Sequence, residues 1–90
     1  MNDRWFDIEP VDSPAILLAY ENYKNSIHEP NHRDMAIAFC KAIEDNCPPC
    51  ADTSAAIRSL RLSFQDPTYV MFHASAAKRQ ALEAIRLGGK

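Results

Sequence analysis

Cys47 and Cys50 bracket two prolines, and such a pair has three physical readings: a redox couple, half of a zinc site, or a turn between helices. A redox couple needs a strand before it and a helix N-terminus behind it. Here the preceding segment, AIAFCKAIEDN, has helical periodicity, and no βαβ pattern occurs. A structural zinc site needs four ligands. Cys40, Cys47 and Cys50 with one of His28, His32 or His73 could supply them, but the second closely spaced ligand pair is missing. Cys40 beside an apolar helix face reads as a small hydrophobe. The three histidines are scattered, no Ser, His and Asp share a triad context, and two terminal glycines cannot build a phosphate loop. No catalytic residue, metal ligand or cofactor is expected, and the chain reads as a non-enzyme.

Aromatic and basic residues offer a different chemistry. Tyr20, Tyr23 and Lys24 share one helix surface, and Arg58 and Arg61 lie three apart on another. Such a set can stack a base and clamp a phosphate. The plainer alternative places the tyrosines at the edge of a core and the arginines on a solvated surface.

Those side chains need helices to position them. Residues 1–12 read as an N-terminal arm carrying Trp5, Phe6 and Ile8, expected to pack on the core or on a neighbouring subunit. Ser13-Pro14 is a helix start, followed by the stripe Ile16, Tyr20, Tyr23 and Ile27, with a stop at Glu29-Pro30. Asn31 caps a second helix lined by Met35, Ala38, Phe39, Ala42 and Ile43. After the double proline, Asp52 or Thr53 caps a third, whose predicted buried face is Ala56, Ile57, Leu60 and Phe64. Asp66-Pro67 opens a fourth along Val70, Ala74, Ala77, Ala81 and Ile85, ended by Arg86 and Gly88. The expectation is an all-α domain over 13–90, with about four antiparallel helices.

Size and charge narrow the function. At 90 residues the core is small and oligomerisation is a natural supplement. The formal charge is −2, which disfavours duplex DNA as a partner. It is unevenly spread: residues 1–50 hold nine acids against four bases, and residues 51–90 three against six. That polarity allows a small anionic ligand, or pairing of one protomer's acidic half with another's basic half. No apolar run approaches the ~18–20 residues of a membrane span, and the acidic start is unlike a signal peptide. An odd cysteine count fits a reducing cytoplasm.

The segment Pro48-Pro49, then Ala51-Asp52-x-Ser54-Ala55-Ala56-Ile57-Arg58, preceded by its amphipathic helix, resembles the helical hairpin domain of small phage anti-CBASS and anti-Thoeris proteins. These are sponges that sequester immune cyclic nucleotides. The resemblance covers about residues 33–64; the arm, the first helix and the fourth helix lie outside it. Relatives more often carry a polar residue where Cys50 stands, which makes the Cys-Pro-Pro-Cys stretch a turn. The resemblance implies a compact homo-oligomer in the host cell cytoplasm that binds a cyclic di- or trinucleotide between protomers without catalysis. Ser54 and Arg58 match pattern positions. Chemistry adds Arg61 for phosphate, Tyr20 or Tyr23 for a base, and Lys24, His32 and Arg33 near the hairpin opening. The alternative is a small interaction module or inhibitor that docks on a host protein.

Overall fold

The computed structural model describes residues 13–88, so the expectations for the N-terminal arm lie outside the described residues. Four α-helices follow one another: α1 (Pro14–Asn25), α2 (His32–Asn46), α3 (Ala51–Gln65) and α4 (Val70–Gly88), with a 3-10 turn at Pro67–Tyr69 before the last. No strand occurs among the described residues, and the all-α expectation holds.

Most helix boundaries follow the expected signals. Ser13 is the N-cap of α1, its Oγ accepting from Ile16 N at 3.5 Å, with Pro14 at the first helical position. Two expectations are corrected. α1 ends at Asn25 rather than at Glu29-Pro30, because the backbone N–H and the Oγ–H of Ser26 both donate to Tyr23 O, at 3.1 and 2.9 Å. α3 starts at Ala51, so the cap position belongs to Cys50. Asp52 falls in the first turn, where its charge complements the helix dipole. Thr53 turns inward, and its hydroxyl donates to Pro48 O. At the last break Asp66 accepts from Thr68 N at 3.3 Å and caps the 3-10 turn, so α4 itself begins at Val70.

The core is assembled from Ile16, Tyr20 and Tyr23 of α1, Phe39 and Ile43 of α2, Ala56 and Leu60 of α3, and Ala74, Ala77, Ala81 and Ala84 of α4. Small residues on α4 let α3 approach closely, and these two helices form the most extensive pairing, with α1 and α2 next. The side-chain amide of Gln80 meets Ser59 Oγ across the α3–α4 seam at 2.8 Å. Gly88 ends α4 against the Pro-Pro turn, where a Cβ would collide with the Pro48 ring.

The buried face of α3 differs from the predicted one. It is Thr53, Ala56, Leu60 and Ser63, while Ile57 is half-buried and Phe64 is 40% exposed. The cause is a polar anchor: Tyr23 Oη lies 2.7 Å from Ser63 Oγ, and Ser63 Oγ also donates to Leu60 O at 2.6 Å. Drawing Ser63 inward turns Phe64 out. On α2, Ala38 is exposed rather than buried, while Ala36 and Cys40 are half-buried. α2 and α3 therefore touch less than α3 and α4, although they are the hairpin of residues 33–64, and a groove opens between them.

Candidate functional site

The groove has a volume of about 320 Å³. Ala36, Ile37 and Cys40 line its α2 wall, Ile57, Leu60 and Phe64 its α3 wall, and Arg33 and Arg61 supply the cations. Helical spacing explains the walls. Once Phe39 and Ile43 face the core, residues 33, 37 and 40 share the next stripe of α2, and residues 57, 61 and 64 do the same on α3. The Arg33 guanidinium lies over the Phe64 ring, 5.9 Å from its centroid. Neither arginine enters an ion pair with another described residue.

Phe64 is held by a stack of rings rising from the core. Tyr23, fully buried, stacks on His32 at 4.7 Å between centroids, and His32 stacks on Phe64 at 5.4 Å. Ser26 Oγ, 3.3 Å from His32 Nδ1, fixes the middle ring. Burial, and to a smaller extent the neighbouring His28, hold the His32 pKa below the usual imidazole value, so the ring is neutral near pH 7. A second cavity of about 460 Å³ lies beside it, lined by Ile27, His28, His32, Ser63, Phe64, Pro67, Val70 and Met71.

The residues predicted from sequence are distributed unevenly about this geometry. Arg33 and Arg61 come together in the groove. His32 supports it from behind through Phe64. Tyr20 and Tyr23 are core residues: Tyr20 Oη lies 3.2 Å from Ser75 Oγ, and burial raises the Tyr23 pKa. A base has no access to the Tyr23 ring within the protomer, and Phe64 is the aromatic side chain that the groove presents. Lys24 pairs with Glu21 at 3.4 Å and lies 5.7 Å from the Tyr20 ring centroid, apart from the groove lining. Ser54 and Arg58 are exposed on α3 and line neither cavity.

Phe64 and Ile37 are the site residues that sequence reasoning missed. Phe64 continues the apolar spacing of α3 and so reads as core. Only the competing Ser63, whose hydroxyl has a tyrosine partner forty residues away, decides otherwise.

The cysteines occupy different surroundings. Cys47 is buried, its Sγ 3.5 Å from Ala81 O, and burial raises its pKa. Cys50 is exposed, and its hydrogen bonds with Thr53 lower its pKa. Cys40 sits in the groove wall with its pKa raised, chiefly by burial. No group of three or more His, Cys, Asp or Glu able to hold a metal ion occurs among the described residues. No helix among them is long and apolar enough to cross a membrane. No family model, no curated protein and no solved structure matches this chain.

Proposed function

We propose that the protein is a non-enzymatic binding protein that captures a cyclic di- or trinucleotide in the α2–α3 groove. It would act as a phage-encoded sponge that removes an immune signal in the host cytoplasm. The observation that carries the reading is the meeting of a supported aromatic ring with two arginines that have no ion-pair partner among the described residues, around one apolar groove. A base can stack on Phe64, the ring continuing the Tyr23–His32–Phe64 column, while Arg61 and Arg33 take phosphate oxygens. Neither cation is buried without a partner when the groove is empty, because both are solvent-exposed. The likeness of the Pro48–Arg58 segment to sponge hairpins points the same way.

The test is a thermal-shift and calorimetric panel of cyclic di- and trinucleotides on the full chain. A true ligand at 100 times its dissociation constant stabilises the fold by about 2.7 kcal/mol. A folded protein indifferent to the whole panel refutes the sponge.

One observation favours a second reading. Ile37, 58% exposed, and Phe64 present apolar surface at the groove, as a module docking on a host protein would. Silence across the nucleotide panel, with an Ile37→Asp variant that loses host-protein capture, would select it.

A further inference from the structure

Four residues of α2 form a stripe that complements its own reverse, a cation at one end and an anion at the other: Arg33, Ile37, Cys40 and Glu44. Their spacing of four, three and four keeps them within about 60° of arc on the helix surface. Arg33 and Glu44 are exposed, Ile37 is 58% exposed and Cys40 is half-buried. The neighbouring stripe satisfies its own charges, with Lys41 Nζ 3.6 Å from Asp45 Oδ2. Arg33 and Glu44 cannot do this, since eleven residues of helix hold them about 16 Å apart. Neither has an ion-pair partner among the described residues.

We propose that α2 is a self-association face, packing antiparallel on α2 of a second copy about a two-fold axis. Arg33 then meets the partner's Glu44, and Ile37 meets the partner's Cys40. The axis passes between residues 38 and 39, about which both pairs are symmetric. Two-fold symmetry makes each contact occur twice, so one stripe supplies two ion pairs flanking an apolar centre. Parallel packing would set Arg33 against arginine and Glu44 against glutamate, so the charges select the antiparallel arrangement. The occupant of this face is a second copy because the pattern complements itself.

The test measures mass against concentration, by sedimentation equilibrium on the full chain, for wild type, Arg33→Glu, Glu44→Arg and the double reversal. Each single reversal replaces two attractions by two repulsions and is expected to weaken association at least about tenfold. The double reversal restores two opposite-charge pairs and should recover association toward the wild-type value. Ile37→Asp should weaken it without unfolding a helix in which that residue is already exposed, as circular dichroism would check. A wild type monomeric at every concentration overturns the proposal. So do single reversals that leave the mass unchanged, or a double reversal that fails to rescue. Arg33, Ile37 and Cys40 also line the groove, so self-association and a nucleotide held there compete for the same wall. No nucleotide enters the readout, and a monomeric wild type leaves the ligand reading standing.

Discussion

His32 and Ser63 do more for this protein than their types suggest. His32 is the middle ring of a column linking the buried Tyr23 to the groove residue Phe64. Its pKa is held below the unfolded value by burial first and His28 second. Above about pH 6.5 both states carry a neutral ring and titration contributes nothing to stability. As pH falls below that value the unfolded chain takes up the proton first, so folding loses stability until the depressed folded pKa is passed. Melting temperature is therefore expected to fall as pH drops below about 6.5, and His28→Asn should flatten the slope by removing a repulsive neighbour. An NMR titration placing the His32 pKa at or above the ordinary histidine value would refute this. Ser63 offers a directional test. Its one hydroxyl proton goes to Leu60 O, so Tyr23 must be the donor in the Tyr23–Ser63 bond. Tyr23→Phe removes a donor from an oxygen still engaged with Leu60 and should cost about 1 kcal/mol. Ser63→Ala instead strands a buried phenol and should cost more, up to about 3 kcal/mol. The double variant should be more stable than Ser63→Ala alone; urea denaturation of the three decides.

At the scale of elements, the helices were legible because their ends carry local chemistry: Ser13-Pro14, the double proline, Asp66-Pro67. Helix rotation was less legible. Apolar spacing on α3 gives two overlapping stripes, and periodicity alone favours the one containing Phe64 over the one containing Ser63. A hydrogen bond to a distant tyrosine reverses that preference, and spacing within one helix carries no information about it. Alanine is ambiguous for the same reason, since it is equally at home inside and outside a helix. Ala77 is fully buried on α4, whereas Ala38 on α2 is exposed although it was placed on a buried face. Ala77→Leu should overpack the core and cost about 1–3 kcal/mol. Ala38→Leu should change stability by less than about 0.5 kcal/mol. Equal effects on the denaturation midpoint would mean that α2 or α4 is rotated from the orientation described.

At the scale of the whole molecule, the closest helix pair is not the one that carries the groove. α3 and α4 close on one another through small residues, while α2 and α3, joined by the Pro-Pro turn, leave space between them. The polar candidates on α3 consequently separate into two groups. Arg61 lines the groove with Phe64, whereas Arg58 and Ser54 lie outside its lining. Spacing on α3 gives both Arg58 and Arg61 to phosphate because they lie three apart on one helix, and only the position of α2 distinguishes them. If the groove holds the nucleotide, Arg61→Ala should weaken binding by ~1.5–3 kcal/mol, the worth of a hydrogen bond to a charged group. Arg58→Ala should change it by less than about 0.5 kcal/mol, as a surface substitution away from the ligand does. Phe64→Leu, which keeps apolar bulk but removes the ring face, should cost about 1–3 kcal/mol if a base stacks there. Calorimetry with a cyclic nucleotide that binds the wild type gives all three values. The reverse order, with Arg58 dominant and Phe64 silent, would move the site out of the groove and onto the exposed surface of α3.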